Sequence, residues 1–416
     1  MRPESSRTTG TDSDSHLRHV PPAVLQGWDE TAGSIRQTPL PAGYSGGQVF
    51  RIDSPERGDT LAVKASRPID HPQTSQWERR WQTLGELLTR AAAHCPALTP
   101  PFRTRQRDWG IWHQGRFWQC LPWVRGEPLP RRGDPAGIAA GGRAIAQAHL
   151  ALLQAQTDMQ SRSGQAIRPE SGLIPPFIAP QPARQTNPAA SARPDPSAPE
   201  SIPRSIRQRM QRIEAIERPQ HSAHGPTPGR LALAECLSRR VGGATTPLAD
   251  RLLAALDWLA TSDCQRRLAD FKQRLRRHSQ SDWSAQLQWV LRDVHREHLH
   301  FVGDTHSTTS PSKALTVAGI IDFDAIGLDH VATDLARWAG DFVNQPLSAA
   351  VAGYREIRPL SDDAVELAAD LMYTGTVAAL ANWTDWLVWE KRKFPVDATM
   401  IQARLEHLID SACQIC

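Results

Sequence analysis

Leu291-Arg292-Asp293-Val294-His295-Arg296-Glu297-His298-Leu299-His300-Phe301, then Gly319-Ile320-Ile321-Asp322-Phe323-Asp324, then Ala332-Thr333-Asp334-Leu335-Ala336-Arg337, is the stretch on which the reading of this chain turns. Asp322 ends an apolar run that reads as a buried strand. A carboxylate there is costly to bury unpaired, and a divalent cation would compensate it; a carboxylate capping a turn is the plainer alternative. Asp293 precedes His295 and His298, and a carboxylate so placed can accept a substrate hydroxyl proton or orient that hydroxyl. A solvated polar strand end is its alternative. Asp334 opens a helix, where an N-cap role suits it. His298 and His300 share a strand face, and with His295, Asp304 and His306 they allow a zinc reading. The spacing matches no HExxH or Cys/His pattern, which favours ordinary polar or core histidines.

Working outward, Gln288–Phe301 and Leu315–Phe323 read as strands about a turn at Gly303-Asp304. Upstream, Gln48–Ile52 and Thr60–Ala65 form one hairpin pattern, and Gly110–His113 with Phe117–Val124 a second, turned at Gln114-Gly115. Between them Ser75–Ala93 carries Trp77, Trp81, Leu84, Leu88 and Ala91 at helical spacing. Further helices are expected over 138–154, 206–216, 248–259 and 265–277, and over most of 334–412. Residues 1–27 are polar and turn-rich and read as a disordered tail. From Pro169 to Pro203 there are ten prolines in 35 residues. Such a stretch buries too little apolar surface to offset its ordering entropy, so about 160–204 reads as a disordered insertion.

Ala42-Gly43-Tyr44-Ser45-Gly46-Gly47 lies between strand signals and can bring backbone N–H groups to an anion; a glycine turn in a hairpin is the plain reading. Lys64, in Leu61-Ala62-Val63-Lys64-Ala65, is one of five lysines against 43 arginines. On a strand it faces opposite to Val63 and could neutralise phosphate as a point charge.

Taken in order, these features resemble the aminoglycoside phosphotransferase and choline kinase family, over roughly residues 35–155 and 205–390. That family carries a loop of the form HGDxHxxNxLF, an IDF or IDW strand and a PxxDLA helix start. The resemblance implies an α+β, two-lobed protein-kinase-like fold: a small β-rich N-lobe over 28–122 and a larger, mostly α-helical C-lobe over 123–416. It implies an ATP-dependent phosphotransferase that moves the γ-phosphate to a hydroxyl of a small molecule. Asp293 then looks like the catalytic carboxylate, Asp322 like the magnesium ligand, and Lys64 like the phosphate lysine. Gly43, Ser45, Gly46 and Gly47 look like the phosphate loop, with Glu78 or else Glu86 as the lysine's partner. Leu121 and Trp123 lie in the segment resembling the adenine hinge, and Asp334 and His295 take supporting roles. The family's His-Gly is here Leu291-Arg292, and its second metal ligand, usually Asn, is His298. Imidazole suits transition metals better than magnesium, so His298 points to manganese, to indirect contact, or to a weakened site. A catalytically weakened, nucleotide-binding scaffold is the alternative function.

Composition excludes other classes. The net charge of +4 is too mild to argue for nucleic acid. No apolar run approaches the roughly 18 residues of a membrane span, the first twenty residues hold no secretory core, and six scattered cysteines make no disulfide framework. A cytoplasmic setting is expected. For the acceptor, Trp383, Trp386 and Tyr373 are candidates for a stacking wall, although core packing explains them as well, and Asp341 and Asp385 are candidates to attract an amine.

Overall fold

In the computed structural model the described residues are 17–28, 35–41, 47–54, 58–69, 74–163, 202–217, 234–235, 237–238, 245–281, 283, 286–303, 315–343, 346–390, 394 and 398–414. The proline-rich segment, Gly43, Ser45, Gly46, Asp304 and His306 lie outside them. The chain divides into two compact units, Met1–His71 with Pro101–Trp123, and Pro72–Pro100 with Val124–Cys416.

The first unit contains α1 (Pro22–Gln26) and an antiparallel sheet of β1 (Arg36–Pro39), β2 (Gln48–Ser54), β3 (Asp59–Ala65), β4 (Ile111–His113) and β5 (Arg116–Pro122), in the order β1-β2-β3-β5-β4. Pro39, which lacks an N–H, is accommodated because β1 is an edge strand. Gln114 and Gly115 both take positive φ, 51° and 69°. That is the geometry a two-residue hairpin turn requires. The expected tail is corrected for residues 17–27, its part within the described residues: Val20, Val24 and Leu25 are buried against Phe50, Ile52 and Trp118 of the sheet. Its three apolar side chains remove enough surface from water to hold the segment down.

The second unit holds α2 (Thr74–Ala92), α3 (Pro135–Ser163), α4 (Arg204–Glu217), α5 (Thr245–Ala260), α6 (Ser262–Gln280), β6 (Gln288–Val290), β7 (Leu299–Val302), β8 (Thr316–Ile320), β9 (Gly327–Asp329), α7 (Ala332–Gly340), α8 (Leu347–Arg355), α9 (Asp362–Thr384) and α10 (Ala398–Gln414). Strand β6 pairs with β9 and β7 with β8, both antiparallel. The boundary expected at 122 is corrected for α2, which belongs to this unit. Arg80 on α2 is buried and donates to the Asp324 and Ile326 carbonyls at 2.6 and 2.9 Å. Thr99 donates to the Ile320 carbonyl at 2.8 Å. Both contacts fix the segment that carries Asp322.

Helices begin where hydroxyls can accept first-turn N–H groups: Thr261 caps α6 through the Cys264 N–H, and Ser361 caps α9 through the Ala364 N–H. Helix α9 and the π-helical turn after it, Asp362–Trp389, are long and apolar enough by composition to cross a membrane, yet 67% of the 18-residue apolar window within it is buried inside the fold. Core packing accounts for its apolarity. Helices α3 and α8 approach so closely that a β-carbon on Gly353 would overlap the Ala139 carbonyl oxygen, and one on Gly142 the Ala350 carbonyl. The obstruction is backbone, which cannot swing aside. We therefore expect Gly353→Ala to lose about 1–3 kcal/mol to overpacking, more than the ~1 kcal/mol alanine gains in helix propensity, read as a lower urea midpoint.

Candidate active site

The strand expected over 288–301 is interrupted. It stops at Val290, and 291–295 form a loop that closes with a 3-10 turn at Arg296–His298. The cause is Asp334 on α7, which is completely buried. Its carboxylate accepts the Leu291 N–H at 2.8 Å and the Arg292 N–H at 2.6 Å. Those donors are thereby withdrawn from any ladder. His149 on α3 bonds the same carboxylate through Nε2 at 2.8 Å, and its Nδ1 meets the Tyr354 hydroxyl at 3.0 Å. A carboxylate only accepts, so Nε2 carries a hydrogen and donates it to Asp334. His149 was not legible as a site residue; it sits mid-helix in an alanine-rich run.

Beyond this brace the loop presents Asp293. Its Oδ1 accepts from His295 Nε2 at 2.9 Å and lies 3.4 Å from Arg337 Nη1. Desolvation alone would raise the Asp293 pKa, but His295, Arg337 and His298 outweigh it and hold the carboxyl well below the ordinary range. Arg337 follows Asp334 by one helical turn, so the i,i+3 spacing was a signal in the sequence that it would share that face.

His298 Nδ1 is 2.6 Å from the Asp293 carbonyl oxygen. That oxygen can only accept, so Nδ1 carries a hydrogen, and the ring is held with Nε2 turned toward Asp322. Nε2 stands 3.8 Å from Asp322 Oδ2. The Ile321 N–H donates to the His298 carbonyl at 2.9 Å, tying the end of β8 to the same turn. Asp322 itself holds φ 64°, a left-handed conformation that aspartate tolerates better than most residues. Asp324 is buried. It faces the Arg80 guanidinium, whose own pKa burial pulls down to about 10 while Asp324 resists.

Asp341, at the end of α7, was a candidate to attract an amine, but it is engaged. It accepts from Arg404 at 3.0 Å and from the Arg296 N–H at 3.1 Å. Burial would raise its pKa; His295, Arg404 and these hydrogen bonds bring it down to about 2. Asp385 likewise pairs with Arg212 at 2.9 Å. For the aromatic candidates the core-packing alternative holds. Trp383 packs against Phe394 and Trp386 in the core shared by α5, α9 and α10, and Tyr373 packs on Phe271. The histidine zinc reading gains no ligand cluster among the described residues. The one carboxylate–histidine group there is His278, Glu366 and Asp370, where Arg274 already meets Asp370 at 3.1 Å.

In the first unit, Lys64 lies on β3 in register with Val49 and Gln119, while Val63 beside it is buried on the opposite face. Leu121 pairs with Ala62. The Trp123 N–H donates to the Thr60 carbonyl at 3.3 Å, and Arg51 stacks over the Trp123 ring at 5.0 Å. Gly47 leads directly into β2. Glu78 is exposed on α2, whereas Glu86 is partly buried and bonds Arg90 at 2.5 Å.

Comparison with solved structures identifies the architecture. Spectinomycin phosphotransferase, in a complex with ADP and spectinomycin, superposes with a TM-score of 0.52 at 11% identity, over 94% of this chain and 95% of that one. An aminoglycoside phosphotransferase from Alicyclobacillus acidocaldarius gives 0.48 at 13% identity over 97% and 98% of the two chains. A macrolide 2'-phosphotransferase from Brachybacterium faecium gives 0.41 at 14% over 92% and 94%. At such identities the likeness establishes the fold alone, that of the kinase-like small-molecule phosphotransferases. No protein-family model and no curated protein matches the sequence.

Proposed function

We propose that this chain is an ATP-dependent phosphotransferase acting on a hydroxyl of a small molecule. One observation carries the reading: His298 links Asp293 to Asp322, with Nδ1 on the backbone of the first and Nε2 3.8 Å from the carboxylate of the second. Phosphoryl transfer asks little covalent chemistry of a protein; it needs positioning and charge neutralisation. Asp293 is proposed to orient the acceptor hydroxyl and receive its proton. Lys64 and the glycine turn Gly43, Ser45, Gly46 and Gly47 are proposed to hold nucleotide phosphates, with Leu121 and Trp123 beside the base.

The donor set around Asp322 fits a divalent cation. The hydrogen bond on Nδ1 turns Nε2 toward Asp322, the outer-shell arrangement typical of ligating histidines. Asp322 and His298 would hold the ion, which when bound would neutralise and orient the phosphates. A nitrogen–oxygen set suits manganese as well as magnesium.

A second reading, a weakened nucleotide-binding protein, is favoured by the clamp of His295 and Arg337 on Asp293, which makes it a poor base. A loose transition state demands more orientation than basicity, so the first reading is preferred. The test is ATP binding by calorimetry with magnesium and then manganese, for the wild type and Asp322→Asn. We expect metal-dependent binding that weakens at least about tenfold, ~1.4 kcal/mol, in the variant. Absence of nucleotide binding with either metal would overturn the proposal.

A further inference from the structure

Helices α4, α7, α9 and α10 of the second unit line an open cavity of about 70 Å³, room for one small polar group. It adjoins Asp293, because His295 and Arg337, both touching that carboxylate, line it. Its wall holds more arginine than carboxylate, with Arg337 engaged by Asp293 and Arg404 by Asp341, so that Arg209 is the cation outside those pairs. Arg209, Arg337 and Arg404 line it against a single carboxylate, Asp341, and that carboxylate is already taken by Arg404 and a backbone N–H. A cationic acceptor would find no uncommitted counter-charge there.

Two polar groups in the wall lack partners. Thr333 is 8% exposed, and its Oγ1 has no hydrogen-bond partner among the described residues. The buried Nε of Arg209 has none either. Groups of this kind carry a free-energy cost, and each calls for an explanation, of which a ligand admitted by a small shift of the wall is one. Burial, and then the charge of Arg337, destabilise the Arg209 cation in the free chain. The fold nonetheless makes room for it: the Arg209 Nη2 lies 3.1 Å from where a β-carbon of Gly375 would stand.

We propose that this cavity seats the anionic group of an acceptor, a carboxylate or a phosphate monoester, which Arg209 and Thr333 bind while the acceptor hydroxyl faces Asp293. The inference rests on the phosphotransferase reading for the reaction, and on the cavity alone for the charge. In the reaction the acceptor oxygen bonds to the γ-phosphorus of ATP. The bond from that phosphorus to the β,γ-bridging oxygen breaks, ADP leaves, and the hydroxyl proton passes to Asp293 and on to solvent.

The test uses small hydroxylated compounds that are anionic, neutral or cationic: glycerate and glycerol 3-phosphate, glycerol, and ethanolamine, with inorganic sulfate as the smallest anion probe. Binding to the nucleotide-free full chain is measured by calorimetry, and ADP release is measured separately with ATP present. We expect the anions to bind, the carboxylate and phosphate arms showing which is preferred, and glycerol and ethanolamine not to. Arg209→Met should weaken anion binding roughly 10- to 100-fold, the range of a lost charge-assisted pair. Thr333→Val, which keeps the side-chain shape, is the second variant. It should weaken the anion yet raise the urea midpoint of the free chain, because it removes an unsatisfied hydroxyl. Ethanolamine binding in preference to every anion, or anion affinity unchanged in both variants, would overturn the inference, as would no anion binding at all. Arg209-dependent anion binding without ADP release would uphold the inference and sink the phosphotransferase reading. ADP release with ethanolamine alone would do the reverse.

Discussion

Asp293→Asn is expected to lower the rate of phosphoryl transfer by about 10²- to 10⁴-fold, the usual contribution of a positioned acid–base group, while ATP affinity changes by no more than about twofold. Asn keeps the shape of the side chain and a carbonyl oxygen for His295, which donates to Oδ1 at 2.9 Å. What it loses is the charge that holds Arg337 and the capacity to take a proton. The Asp293 carbonyl, which receives His298 Nδ1, belongs to the main chain and survives the substitution. The two halves of the experiment therefore separate cleanly: single-turnover kinetics report the carboxylate, and equilibrium nucleotide binding reports the Asp322 side. Wild-type turnover by the variant would refute the assignment.

Asp334→Ala is expected to cost about 3–5 kcal/mol, the range for removing one partner of a buried charged network. The residue is fully buried and serves three donors: the Leu291 and Arg292 N–H groups and His149 Nε2. Its loss leaves all of them unsatisfied in a dry site, and a water would have to enter to replace it. Domain stabilities lie near 5–15 kcal/mol, so this one change removes a large share. The check is a urea melt followed by far-UV circular dichroism, with Asp334→Asn as the milder comparison. Asn retains one acceptor oxygen and should lose less. A midpoint for the alanine variant within error of the wild type would contradict the bracing role.

Much of the architecture could be read from local patterns, because local physics decides it. Gln114-Gly115 dictates a hairpin through its backbone conformation, and the Trp77, Trp81, Leu84, Leu88, Ala91 spacing dictates a helix; both form where expected. The loop at 291–298 was misread as strand because Leu291 and Leu299, an even number of residues apart, would share one face of a strand. They are buried, but the backbone between them is tied to Asp334, a carboxylate more than forty residues away. The segment around Val20 and Leu25 was missed for a related reason: its burial depends on a sheet it does not belong to. The arginine-lined cavity was wholly illegible. Arg209, Arg337 and Arg404 sit on three helices far apart in the chain, and only tertiary packing reveals that they converge. By contrast Asp293, Asp322 and His298 lie within one hairpin-sized stretch, so their proximity was foreseeable.

Arg292 has a wider consequence. It holds φ 66°, a conformation that costs a non-glycine residue about 1–2 kcal/mol. Its guanidinium meets the buried carboxylate of Asp329 at 3.8 Å, and passes where a side chain on Gly327 would stand. Positions 292, 327 and 329 are thus interdependent. Replacing Arg292 by glycine relieves the backbone but leaves the Asp329 carboxylate only its hydrogen bonds from Ser205 and His330, and a side chain at Gly327 would have to displace the end of the arginine. Which variants of this loop a lineage can reach is governed by the order in which substitutions arrive, so the present sequence constrains its own descendants as much as its own stability.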